Sequence, residues 1–165
     1  MTSAVLDEAL KKAALAWISV SDGPALALWV LPLDGTLIVV SGPGEQFAPG
    51  LADAARATVR LRGDNGGLIV ITEAVVARIH PGTEEWTEVA PQLATKRLNA
   101  SGTADEVAAR WASSGCTVVR LTPVVEQPVL ERPQLPADSG AAEPRETPAR
   151  VQTLRPFRLH RVKRR

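Results

Sequence analysis

Apolar runs of strand length alternate with clusters of Gly, Pro, Asn and Asp along most of this chain, and a few stretches break that rhythm with helical spacing. Ser3 to Trp17 is the first of these, with Leu6, Leu10, Ala13 and Trp17 on one face. Asp7 with Lys11 and Glu8 with Lys12 are acid-before-base pairs that support the opposite face, and Ser3 is placed to cap the start. The pattern predicts a helix that ends where β-branched residues begin, at Ile18. Ser21-Asp22-Gly23-Pro24 is a turn. Ala25 to Leu31 is apolar at both parities, which predicts a strand covered on both faces. Asp34-Gly35 ahead of a β-branched run predicts a hairpin into a strand at Thr36 to Ser41.

Gly42 to Pro49 reads as an irregular loop and Gly50 to Ala57 as a turn or two of helix. Thr58 to Arg62 alternates, with Val59 and Leu61 on one side and Thr58, Arg60 and Arg62 on the other. Asp64-Asn65-Gly66-Gly67 predicts a further hairpin turn into the longest strand, Leu68 to Ile79, apolar nearly throughout and expected to be buried on two faces. Thr83 can cap a helix whose first turn holds Glu84 and Glu85, suited to the positive end of the helix dipole. Trp86, Ala90, Leu93 and Arg97 share a face there, and Pro91 predicts a kink or a break into two helices. Thr103 to Glu106 fits a capping box that opens a helix with Val107 and Trp111 inward, ended by Gly115. Thr117 to Thr122 is the last strand. Helices interrupting antiparallel strands with short turns define an α+β domain built on a small, closed or nearly closed barrel.

Composition adds limits. A chain of 165 residues, 45% hydrophobic and 22% charged, suits one globular domain with its own core. No apolar run approaches the ~20 residues of a membrane span, so no membrane span is expected. The N-terminus has no long apolar segment of a signal peptide, and the single cysteine, Cys116, excludes an intrachain disulfide framework and a Cys-rich zinc site. A cytoplasmic protein is the expectation, with Cys116 a small buried hydrophobe. Seven of the thirteen prolines fall in residues 123–156. This divides the chain into a folded domain, 1–124, and a Pro-rich tail, 125–165, expected to be disordered or extended. Residues 150–165 carry seven basic side chains and no acid, so the rest of the chain is mildly acidic. Such an arm suits contact with a protein or a nucleic acid.

Candidate chemistry is sparse. His80 and His160 stand alone, which gives neither a metal site nor a triad. Trp17, Trp29, Trp86 and Trp111 sit at core spacing. Ser41, Gly42 and Gly44 form a glycine-bearing loop without the Gly-Lys-Ser/Thr ending of a P-loop. Arg60 and Arg62 are either anion contacts or a solvated strand face, and Arg97 with Asn99 either reaches a cleft or complements a helix C-terminus.

The order helix, hairpin, strand, loop, hairpin, helices, strand over residues 4–124 resembles the flavin-binding split β-barrel of the pyridoxamine 5′-phosphate oxidase-like group. The pieces GPGEQFAPGL, the Trp86 helix, Lys96-Arg97-Leu98-Asn99-Ala100 and RWASSGCTVVRLTPV resemble an actinobacterial branch of it. The resemblance implies a homodimer with FMN, or the deazaflavin F420, in two clefts at its interface, and flavin- or deazaflavin-dependent oxidoreductase activity. The group's phosphate-binding pattern has a Thr or Ser ending a strand, then a nearby Arg-Lys pair. Ser41 occupies the hydroxyl position, while Glu45-Gln46-Phe47 stands where the basic pair is usual and would bring a carboxylate toward a phosphate. Arg60 and Arg62 can restore the positive charge. The cofactor-binding set implied is Ser41, Gly42, Gln46, Arg60, Arg62 and Arg97. The alternative is a non-catalytic barrel that has lost the cofactor and serves as a binding module through its basic tail.

Overall fold

The strand that closes the barrel is interrupted at a single residue. In the computed structural model, which describes residues 4–62, 69–124 and 128–131, β2 (Leu26–Trp29) and β3 (Leu31–Leu33) are separated only by Val30. The other strands are β1 (Leu15–Ser19), β4 (Thr36–Ser41), β5 (Arg56–Arg62), β6 (Ile69–Ile79), β7 (Thr117–Pro123) and β8 (Val129–Glu131). All pairings between the described strands are antiparallel, in the order β2-β1-β5-β6-β7-β4-β3, and β8 pairs with β6 beside the end of β7. Because β2 and β3 are the two ends of that order and adjoin in the chain, the sheet forms a ring that closes apart from a break at Val30.

Alternation then sorts side chains. Leu28, Val30, Leu37, Val39, Val59, Leu61, Val70, Ala74, Val119 and Leu121 fill the barrel. Helix α1 (Ala4–Lys12) packs Leu6, Ala9 and Leu10 into the same core. On the outside, α2 (Glu84–Lys96) and α3 (Ala104–Ser114) bury Trp86, Val89, Leu93, Val107 and Trp111 against Ile38, Val40 and Val118. Strand β4 is therefore buried at every position, each large apolar side chain contributing about 1.5–3 kcal/mol. Arg120 ties the outer face of β7 to α2 through Glu85 (2.9 Å) and to Thr36 (2.9 Å).

Local signals held where they were strongest. Asp34 and Gly35 both adopt positive φ (48° and 73°), the primed turn of a two-residue hairpin. Thr83 caps α2. Thr103 and Glu106 form a reciprocal capping box on α3, and Gly115 ends it in the left-handed conformation. Other expectations are corrected. The first helix stops at Lys12, and Trp17 lies on a strand rather than on helix. The two-sided burial expected of residues 25–31 belongs to β4 instead, since Ala27 is exposed. Residues 51–53 form the single helical turn, of 3₁₀ type, expected within 50–57, but β5 begins at Arg56 rather than Thr58. Helix α2 runs through Pro91 unbroken, with buried residues on both sides of it. In β6, Val70, Thr72 and Ala74 are buried while Glu73, Val75, Ala77 and Arg78 are exposed, so one face is open over much of its length. The turn expected at 64–67 and the chain beyond Glu131, with its basic arm, lie outside the described residues. Among the described residues no helix is long and apolar enough to cross a membrane.

The capping box sets a pH response. The Thr103 backbone N–H, then its hydroxyl, then the Arg110 charge hold the Glu106 carboxyl below its usual value of 4.5. A lowered folded pKa means the ionised form favours the fold. That stability is present above the unfolded value and is lost as pH falls through the folded one. Glu106→Gln is expected to lose less stability than the parent between pH 6 and pH 3, measured as the shift in urea midpoint.

Candidate cofactor cleft

The break at Val30 is held by a side chain. Gln46 accepts from the Trp29 N–H through Oε1 (2.6 Å) and donates through Nε2 to the carbonyls of Trp29 (3.0 Å) and Val40 (3.2 Å). The amide thus replaces the missing ladder between β2 and β4. The loop that delivers Gln46 is fixed at its root by Gly42, with φ of 136° and room for no side chain: a Cβ there would lie 2.8 Å from the Cys116 Cα. Cys116 is buried, as expected, and its Sγ donates to the Pro43 carbonyl (3.4 Å). Ser41 is buried at the end of β4, hydroxyl to hydroxyl with Thr117 (3.2 Å).

Glu45, one residue before Gln46, turns the other way into the protein. Its side chain is 8% exposed. It accepts from Arg97 Nε at 2.6 and 2.8 Å and from the indole Nε1 of Trp111 at 2.9 Å. Arg97, at the C-terminal cap of α2, also donates to the Gly44 carbonyl (3.2 Å). The carboxylate that replaces the expected basic pair is therefore matched by a guanidinium, and the loop is bound to both outer helices by one charge-assisted cluster.

A cleft of 940 Å³ opens between the end of α1, the β2–β3 break, this loop and the end of α2. Trp29 and Val30 form its apolar wall; Lys11, Lys12, Lys96 and Arg97 surround it, with Glu45 the one carboxylate among its lining residues. Lys12 pairs with Glu8 (2.9 Å). The four cations come from the C-termini of two helices, where they also complement the helix dipoles. The cleft's size is that of a small-molecule site.

Of the six residues expected from sequence, Gln46 and Arg97 line this cleft, and Ser41 and Gly42 shape the loop that forms one edge of it. Arg60 and Arg62 do not line it. Arg60 lies on the outer face of β5, opposite Trp17 of β1, and donates to Ser19 Oγ (3.1 Å); Arg62 is exposed at the end of the same strand. Trp17 in turn lies opposite Ala27 of β2, so Arg60 is two strands, about 10 Å, from the strand that carries Trp29. Sequence reasoning missed Lys11, Lys12, Lys96 and Trp29. The available signal was a Lys-Lys and a Lys-Arg pair, each ending a helical pattern. The expectation that all four tryptophans are core is half corrected: Trp86 and Trp111 are buried, Trp17 is 36% exposed, and Trp29 is half-buried on the cleft wall.

No protein-family model and no curated protein matches the chain. Solved structures do. The heme storage protein HutZ from Vibrio cholerae matches at TM-score 0.54 and 12% identity, covering 74% of this chain and 88% of that one. A FAD-binding protein from Mesorhizobium loti matches at 0.51 and 16%, covering 74% and 91%. A candidate pyridoxamine 5′-phosphate oxidase from Listeria innocua matches at 0.49 and 13%, covering 73% and 90%. At these identities the likeness is one of fold. The chain is an α+β split β-barrel, the architecture that its sequence resemblance implied.

Proposed function

We propose that the chain is a homodimeric split-barrel protein that binds a flavin-type cofactor, FMN or F420, in the cleft beside Trp29. The observation that carries this reading is the lining of that cleft: a half-exposed indole at one wall, the ammonium groups of Lys11 and Lys96 beside it, and a single carboxylate, itself already paired with Arg97. A planar aromatic ring with an anionic arm matches both features. The indole offers a stacking face, and ammonium and guanidinium groups draw phosphate or carboxylate. Asn99 adds an amide at the rim. A flavin or deazaflavin held there would supply redox chemistry, while the protein supplied orientation and electrostatics. The residues of the chain would bind and orient the ring and exclude water from its Trp29 side.

The outer face of β1, β5 and the part of β6 paired with β5 supports the dimer. It carries Leu15, Trp17 and Val75, each 36% exposed or more, beside Arg56, Arg60 and Arg62. Apolar and aromatic groups interleaved with arginine are typical of protein interfaces. Arg60 and Arg62 would then contact the partner subunit across that face.

Purified protein is expected to absorb near 450 nm or 420 nm, or to show tryptophan quenching when FMN or F420 is added at micromolar concentration. A colourless protein that neither cofactor quenches overturns the reading.

A further inference from the structure

The cleft has a second apolar surface besides its Trp29 wall. Leu98 is 85% exposed, the most open large hydrophobic side chain among the described residues, and it lines the same cleft as Trp29. Single exposed leucines are common on protein surfaces, and exposure alone assigns nothing. The setting of Leu98 is what distinguishes it. Lys96, Arg97, Leu98 and Asn99 are consecutive and all four line the cleft, so the connection from α2 to α3 starts along its rim. That connection is held on both sides of Leu98. Arg97 donates through Nη1 to the Leu98 carbonyl (3.4 Å), while its Nε is bound to Glu45 and its Nη2 to the Gly44 carbonyl. Asn99 takes a left-handed backbone (φ 59°), which asparagine tolerates better than most residues. Beyond it, Ala100 packs against the core of the outer helices, and the Ser101 carbonyl accepts from Arg110 (2.8 Å). A fixed turn thus presents the leucine to solvent.

The other apolar wall, Trp29, Val30 and Pro32, comes from the β2–β3 break, where Gln46 fixes the Trp29 backbone. The two apolar surfaces therefore belong to separate elements, one pinned by Gln46 and the other by Arg97. We infer that Leu98 is the second ring contact of this cleft: a planar aromatic ligand lies with one face on the Trp29 indole and the other under Leu98, its anionic arm directed to Lys96 and Lys11. This rests on the flavin reading above and adds to it a residue and an orientation. The leucine is buried only when the ring arrives, so its apolar area contributes to binding and not to folding. Because the turn is already held, little ordering cost is set against that contact. Within the run Lys96–Asn99 the roles divide: Lys96 meets the anion, Arg97 holds the loop, and Leu98 meets the ring.

The test is a set of fluorescence titrations of the full chain with riboflavin, FMN and F420, for the parent, Leu98→Ala, Leu98→Met and Leu98→Trp. Riboflavin has the ring without the phosphate, so it separates a ring contact from a charge contact. Leu98→Ala should weaken each compound that the parent binds by the same factor, roughly fivefold for the apolar area withheld from the ring. Leu98→Met should recover most of that loss, because it restores apolar volume. Leu98→Trp should quench the emission of the bound ring beyond the parent level by placing a second indole on it. The melting temperature should stay unchanged, since the side chain is exposed. Affinities in Leu98→Ala equal to the parent's, or a loss confined to the phosphorylated compounds, overturn the Leu98 contact and leave a flavin site in place. A shift from dimer to monomer in Leu98→Ala also overturns it, by assigning the leucine to the subunit interface. Failure of all three compounds to bind the parent overturns both readings.

Discussion

Gln46→Glu is expected to lower the free energy of unfolding by about 3–5 kcal/mol, more than Gln46→Ala at the same position. The amide nitrogen of Gln46 is the donor that satisfies the Trp29 and Val40 carbonyls, while its oxygen takes the Trp29 N–H. A carboxylate keeps only the last of these contacts and sets an anion against two carbonyl oxygens. Alanine loses all three bonds, at about 0.5–1.5 kcal/mol each net of water, and admits solvent to the break without repulsion. The ordering Glu below Ala distinguishes a stitched break from a simple loss of packing, which would rank the larger residue as the milder change. Urea unfolding of both variants, with unchanged denaturant slopes, measures it. A Gln46→Glu variant within about 0.5 kcal/mol of the parent, the scatter of ordinary surface changes, would mean that Gln46 does not close the barrel.

Glu45→Ala carries the second large effect, a loss of about 2–4 kcal/mol. It leaves the buried indole N–H of Trp111 without an acceptor and Arg97 without its counter-ion. Breaking a buried pair costs about 3–5 kcal/mol; Arg97 is 24% exposed and recovers part of that from water. Glu45→Gln keeps an acceptor for Trp111 and should cost about half as much. Thermal unfolding gives the ranking, and the emission of Trp111 should shift in the alanine variant as water reaches the loop.

These residues also show what the sequence made legible. Asp34-Gly35, the Thr103–Glu106 box and Gly115 are local devices, each complete within four residues, and each formed where it was expected. The boundary between α1 and β1 was not legible, because Ala13-Ala14-Leu15-Ala16-Trp17 satisfies both helical and strand spacing. Pairing of Leu15 with Trp29 and of Trp17 with Arg60 decides it, and pairing is not a local property. Pro91 removes one helical hydrogen bond, yet Val89, Ala90, Leu93 and Ala94 are buried around it and keep α2 whole.

The site was half legible for the same reason. Gln46 and Arg97 were picked out by the resemblance, and both line the cleft. The partner of Arg97 is 52 residues away and that of Trp111 is 66, so no spacing announced the Glu45 cluster. A carboxylate at Glu45 reads in sequence as repulsion toward a phosphate. In the fold it is an internal counter-ion of Arg97, and the cleft cations proposed to meet a ligand are Lys11 and Lys96.

The assignment of the ligand to that cleft is tested most directly by reversing its charge. Lys11→Glu with Lys96→Glu is expected to weaken FMN binding by about tenfold or more, at about 1 kcal/mol or more per reversed cation near a phosphate, with the unfolding midpoint lowered only modestly, since both side chains are exposed and each loses about 0.3–1 kcal/mol of helix-dipole stabilisation. Affinity unchanged by this double reversal, and lost instead when Arg60 and Arg62 are reversed, would contradict it and place the anion on the outer face of β5.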